Sequence, residues 1–266
     1  MKKLIFALLW IAALGSNAQS IDTGKTKLAD TIKKDTTAVP GTVKSVYSKP
    51  NKPGSYIVPV VLVGYGALSF VVTPIRHVDY YIKARIQQTA PNFNSKIDDY
   101  LQIAPGVLVY ALNLAGDEGQ NRFGDRTALL ALSAAILTIT DGTKYLAHRN
   151  RPYGTDPLSF PSGHTGAAFV AAEFLAQEYS WKSPWYGVIG YTMATTTAVM
   201  RLYDKAHWFS DCVAGAGLGM LSVKAAYWLY PHVRKIFSHK DKHGRSTMLV
   251  PTYYDGVPGL SFAMQL

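Results

Sequence analysis

The sequence predicts an all-α, membrane-associated helical bundle of about five to six core helices. Six apolar runs with little or no charge follow one another between residues 56 and 230. Some approach the roughly 18 residues that cross a bilayer, while others have the 10–14 typical of buried core helices. Strand-like alternation is confined to the C-terminal end, where Thr247–Tyr254 and Gly259–Leu266 flank Asp255-Gly256 and predict a short β-hairpin.

The 266 residues suffice for one domain with a sizeable core. A net charge of +10 directs the chain toward anionic partners: nucleic acid, anionic lipid or phosphate esters. No zinc-finger, helix-turn-helix or RNA-recognition signature is present, so nucleic acid is not the expected partner. The single cysteine, Cys212, excludes an intrachain disulfide and a cysteine-rich metal site. Mean hydropathy, +0.04, is low for a polytopic membrane protein, which favours a bundle over six full spans.

Residues 1–18 have the form of a signal peptide. Lys2 and Lys3 precede the apolar Leu4–Leu14, and Ser16-Asn17-Ala18 offers a small-residue cleavage site. An uncleaved anchor is the alternative, and either delivers the chain to or across a membrane. Residues 19–55 are polar, without hydrophobic period, and read as a flexible linker.

The helical domain is expected over 56–238. Tyr56–Thr73 is uncharged and long enough to cross a bilayer, and membrane helices tolerate its Pro59, Gly64 and Gly66. Val78–Ile86 is short, basic and amphipathic, as an interfacial helix would be. Tyr100–Gly116 is the second run. Thr127–Thr140 is the third, continuing through Asp141 and Lys144. The fourth, Gly166–Gln177, is interrupted by Glu173. The fifth is Ser183–Met200, and the sixth, Cys212–Tyr230, is interrupted by Lys224. Basic residues follow Pro231 and continue into a tail over 239–266: His232, Arg234, Lys235, His239, Lys240, Lys242 and Arg245. Positive charge beside a span favours the cytoplasmic side. A cleaved signal followed by two early spans would place the opposite side there. The two indications agree if one early run does not cross.

The chemistry-bearing residues fall at the ends of these runs. Phe160-Pro161-Ser162-Gly163-His164-Thr165 is a turn opening into an apolar helix, with Ser162 as its cap. The first amides of such a helix lack internal partners and suit an anion, and His164 stands beside them. Lys144 and Arg151 lie seven residues apart at the exit of the third run, with Pro152 turning the chain into a loop. Arg201 closes the fifth run. His207 and Asp211, four apart, open the sixth, spaced so that a carboxylate could fix the imidazole tautomer. Taken singly, these are capped turns, snorkelling cations and a satisfied His–Asp pair. If successive helices alternate in direction, all four ends meet at one mouth of the bundle. Cations and backbone amides there would hold a phosphate and the charge that develops as it is transferred.

Lys144-x6-Arg151-Pro152, Pro161-Ser162-Gly163-His164 and Arg201-x5-His207-x3-Asp211 resemble the three motifs of the type 2 phosphatidic-acid phosphatase superfamily. That family includes lipid phosphatases, class A acid phosphatases and vanadium haloperoxidases. The resemblance covers about residues 127–231. It departs at Met200, where the family usually has serine before the arginine. The resemblance implies that Lys144, Arg151 and Arg201 bind phosphoryl oxygens, helped by Ser162 and the Gly163 amide. It implies that His207 is the nucleophile, that Asp211 orients it, and that His164 protonates the leaving alkoxide and later activates water. It implies no metal and no cofactor. The expected substrate is a lipid phosphate monoester or diphosphate, and the expected location is the inner membrane with the site facing the periplasm. A soluble periplasmic acid phosphatase and a vanadate-dependent haloperoxidase are the competing readings.

Overall fold

A computed structural model describes residues 52–240, 246–254 and 257–264. The expected signal peptide and nearly all of the linker lie outside the described residues. After a 3₁₀ turn at Pro53–Tyr56 come α1 (Ile57–Leu68), α2 (Thr73–Thr89), α3 (Ile97–Leu101) and α4 (Ala104–Leu114). Then follow α5 (Phe123–Asp141), α6 (Lys144–Ala147), α7 (Gly163–Tyr179), α8 (Trp185–Tyr203) and α9 (Phe209–Phe237). Three strands follow: β1 (Ser238–Lys240), β2 (Ser246–Tyr254) and β3 (Val257–Met264). They form one antiparallel sheet in the order β1-β2-β3, with Thr247 opposite Met264 and Tyr254 opposite Val257.

Helix α7 is the axis of the bundle. Most of its residues are buried, from Thr165 to Tyr179, and it packs against α4, α5, α8 and α9. Small residues let the helices approach. A Cβ added at Gly217 of α9 would lie 2.5 Å from the Pro59 carbonyl oxygen of α1, so only glycine admits that crossing. Leu129, Val170, Phe174, Leu175, Val223 and others fill the centre.

Two acidic residues of α7 face inward, each fully met. Glu173 accepts from Lys224 at 2.7 Å, from Gln177 at 2.8 Å and from the Tyr191 hydroxyl. Glu178 accepts from Arg126 at 3.1 Å, from the Asn121 amide at 3.0 Å and from Tyr227 at 2.6 Å. Removing one partner strands a buried charge. Glu178→Ala should therefore cost about 3–5 kcal/mol, read as unfolding free energy in detergent micelles, and pairing it with Arg126→Met should recover much of that loss.

The early runs differ from a simple pair of spans. Tyr56–Thr73 is not one helix: α1 stops at Leu68, and α2 leaves at 87° to it. The Ser69 hydroxyl donates to the Gly66 carbonyl at 2.6 Å, closing the last turn, and Pro74 stands at the start of α2. The second run is split between α3 and the eleven-residue α4. Among the described residues two helices, Phe123–Ala147 with its α6 extension and Phe209–Arg234 within α9, are long and apolar enough to cross a membrane, or three if the bent α1–α2 pair counts as one. Pro231 does not end the sixth run: α9 continues through it, as membrane helices allow. The α5 face turned away from the bundle exposes Ile139 at 76%, as a lipid-facing surface requires.

Candidate active site

Four helix ends meet at one mouth, as alternation of direction requires: the end of α5 with α6, the start of α7, the end of α8 and the start of α9. Ser162 caps α7, with its hydroxyl accepting from the Thr165 amide at 3.5 Å and lying 3.0 Å from the Thr165 hydroxyl. Its own amide donates to the Asp211 carbonyl at 3.1 Å, so the α7 and α9 starts are stitched together. Ser162 is thus turned into the fold, and the Gly163 and His164 amides are the first-turn donors without an intrahelical acceptor. A Cβ on Gly163 would stand 2.9 Å from Asp141 Oδ2 and 3.5 Å from Lys144 Nζ, so glycine lets the lysine lie against the helix start.

The three predicted cations are gathered here. Lys144 donates to the Pro161 carbonyl and lies 3.4 Å from Asp141 Oδ1. Arg151, in the loop after α6, bonds Asp156 at 2.7 Å and the Ala206 carbonyl at 3.2 Å. Arg201, in the last turn of α8, bonds Asp98 at 2.7 Å, and its Nε is buried without a protein partner. All three act electrostatically on the His207 ring.

His207 lies just before α9 and is 4% exposed. Its Nδ1 is 2.7 Å from the Ser159 carbonyl oxygen. A carbonyl only accepts, so Nδ1 carries the proton and Nε2 keeps its lone pair. Burial, and then Arg151, hold the protonation of His207 well below the ordinary 6.5, so the ring is neutral and nucleophilic.

Asp211 does not grip the imidazole directly, contrary to the expectation from its spacing. Its Oδ2 is 4.0 Å from His207 Nδ1. The reason is local. His207 falls outside α9, and Asp211 sits at the third helical position, where its Oδ2 accepts from the Trp208 amide at 2.9 Å as in a capping box. The same oxygen accepts from the Ser159 hydroxyl at 2.5 Å, and Oδ1 accepts from Arg149 at 2.7 Å. Orientation of His207 therefore runs through Ser159.

His164 is in the first turn of α7, with its side chain 37% exposed and Nε2 3.1 Å from Asp99 Oδ1. Asp98, Asp99 and His164 have ligand atoms within 4.8 Å of one another, the spacing of a metal-binding group. Arg201 already neutralises Asp98, and the sequence could not announce the cluster because α3 and α7 are distant in the chain. Ser159, Arg149, Asp98 and Asp99 touch site residues, and Asp79 reaches Asp211 through Arg149, without any of them carrying a motif read from the sequence. Asp79 alone left a trace: it shares the buried stripe of α2 with Ile82 and Ile86, an acid where the helical period calls for an apolar residue.

The arrangement can hold a tetrahedral oxyanion between guanidinium groups, an ammonium and helix amides. Residues 126–235 match the family model of the PAP2 superfamily. Over 142 residues the chain is 37% identical to a lipid A 1-phosphatase of Porphyromonas gingivalis, covering 53% of this chain and 32% of that protein. It is 25% identical over 142 residues to a lipid A 1-phosphatase of Helicobacter pylori, covering 52% of this chain and 73% of that one. The match thus spans about a third of the first relative's length. Among solved structures it is similar to a transmembrane PAP2-type phosphatidylglycerolphosphate phosphatase from Bacillus subtilis, with 17% identity, a TM-score of 0.39, and coverage of 66% of this chain and 98% of that one. The segment that matches the PAP2 superfamily model contains all three motifs.

Proposed function

We propose that the protein is a membrane phosphatase that hydrolyses a lipid phosphate ester through a phosphohistidine on His207, without a metal. The single observation that carries this reading is the neutral His207, with Nδ1–H committed to the Ser159 carbonyl, inside the field of Lys144, Arg151 and Arg201. In the first step Nε2 attacks phosphorus, the bond to the lipid oxygen breaks, and His164 gives that oxygen its proton. In the second, His164 takes a proton from water, the hydroxide attacks phosphorus, and the P–N bond breaks to release inorganic phosphate. Lys144, Arg151, Arg201 and the Gly163 amide hold the phosphoryl oxygens throughout, and a contact from the Ser162 hydroxyl requires it to leave Thr165.

The lipid A 1-phosphatases among its relatives make the 1-phosphate of lipid A the first substrate to test. The exposed apolar face of α5 supports a membrane-embedded enzyme over a soluble acid phosphatase. Helix α9 starts at the site and ends beside His232 and Arg234. Positive charge at that far end supports a site facing the periplasm from the inner membrane, reached with the help of an N-terminal signal at 1–18 and a linker over 19–55.

Purified protein should release phosphate from lipid A, phosphatidate or a polyprenyl diphosphate in EDTA, because the three cations meet the charge a metal would otherwise carry. Orthovanadate should inhibit as a trigonal-bipyramidal mimic of the transferring phosphoryl group. Activity lost in chelator and restored by a divalent ion would overturn the metal-independent route. Activity extracted without detergent would favour the soluble alternative.

A further inference from the structure

We propose that Asp79 and Arg149 are positioning residues for His207, acting through Asp211 and Ser159. The kinetic part of this proposal rests on the phosphatase reading above; the structural part does not.

Arg149 lies between two buried carboxylates. Its Nη2 donates to Asp79 Oδ2 at 2.6 Å and its Nη1 to Asp211 Oδ1 at 2.7 Å. Nη1 also reaches the hydroxyls of Ser210 at 2.8 Å and Ser69 at 3.1 Å. The guanidinium carbon is 5.3 Å from the Phe70 ring centre and 5.6 Å from that of Trp208, which shield it from water. Asp79 is held in turn by the Ser210 amide at 2.8 Å and the Ser210 hydroxyl at 2.7 Å. The chain of contacts thus joins α2, the loop before α7 and the first turn of α9.

Its effect converges on Ser159. The Arg149 carbonyl accepts the Ser159 amide at 2.9 Å. The Arg149 side chain fixes Asp211, and Asp211 accepts the Ser159 hydroxyl. With amide and hydroxyl both held, Ser159 keeps its place beside His207, where its carbonyl accepts from Nδ1. Asp79 fixes the other end of the guanidinium, so that Arg149 presents one nitrogen to each carboxylate. That geometry needs a planar fork and not merely a positive charge. Asp211, at 4.0 Å from Nδ1, also supplies the negative charge that balances a phosphorylated imidazole.

The test compares Arg149→Lys, which keeps the charge and loses the fork, with Asp79→Asn, which keeps the shape and loses the charge. Two readouts are taken on detergent-solubilised full-length protein. ¹⁵N-histidine NMR, with His207 assigned by its disappearance in His207→Gln, should show a single Nδ1–H tautomer in the wild type and a tautomer mixture in both variants. Single-turnover phosphorylation should slow by about 10- to 100-fold, the cost of a misaligned nucleophile, while competitive inhibition by inorganic phosphate, a ground-state ligand, stays near wild type because the anion-binding cations are intact. The double variant should cost no more than Arg149→Lys alone, since both act along one chain. If Arg149→Lys fails to fold, Asp79→Asn carries the same two readouts. An unchanged tautomer and phosphorylation rate would overturn the proposal, and so would inorganic phosphate affinity falling in proportion to rate, which would mark a merely structural role. A wild type inactive on every phosphate ester, with the tautomer still shifting in the variants, would sink the phosphatase reading and leave the positioning role standing.

Discussion

His207→Ala should abolish turnover on every phosphate ester, lipid or aryl. The variant keeps Lys144, Arg151 and Arg201, so phosphate should still bind, but no nitrogen is left to take the phosphoryl group. Acid-quenched single turnover should show no protein-bound phosphate. Activity above about a few per cent of the wild type would remove His207 from the nucleophile's role. The same residue sets a pH dependence. Burial and Arg151 hold its folded-state protonation well below 6.5, so the nucleophile stays neutral through mild acid, and the acid limb of the phosphorylation rate should lie below 6.5. The effect on stability has the same origin. Below 6.5 the unfolded chain takes up a proton that the folded ring refuses, so stability present above 6.5 is lost as pH falls toward the lowered folded value. Denaturant midpoints against pH should show that loss in the wild type and less of it in His207→Ala.

His164→Ala should separate substrates by their leaving groups. His164 stands in the first turn of α7, beside the helix-start amides that suit a phosphate. In the proposed mechanism it gives its proton to the leaving oxygen. An alkoxide leaves poorly without that proton, while p-nitrophenolate hardly needs it. The variant should lose about 10²–10⁴-fold on a lipid phosphate and far less on the aryl ester, within the range of a general acid's contribution. Single-turnover phosphorylation with both substrates decides it. An equal loss on both would mean that His164 holds the phosphate or the fold. Asp99 enters here, since its carboxylate lies 3.1 Å from His164 Nε2 and must yield that nitrogen, or share it, when the leaving oxygen arrives.

The helical class, the order of the core helices and the gathering of Lys144, Arg151, His164, Arg201 and His207 at one mouth were all legible in the chain. Each rests on short-range rules. Apolar runs bounded by capping residues fold locally as helices, and cations and histidines placed at the ends of alternating helices must share a side. Ser162 could be assigned as a cap for the same reason. Local pattern misled where it could not weigh its own breaks. Tyr56–Thr73 has the composition of a span, yet Ser69 turning back on Gly66 and Pro74 opening a new helix bend it by 87°.

What only the tertiary structure decided is the set of partners. Asp211 is four residues from His207, a spacing that suggests a direct bond. But His207 lies before the helix begins, and the nearest acceptor for Nδ1 is the Ser159 carbonyl, from a loop nearly fifty residues away in the chain. Asp98 and Asp99 meet Arg201 and His164 across still longer gaps, and Asp79 reaches Ser210 and Arg149 from another helix. Such pairings carry no period and no fixed spacing. They exist because burying a cation at the mouth of an apolar bundle requires a counter-charge, and packing alone determines which carboxylate can reach it.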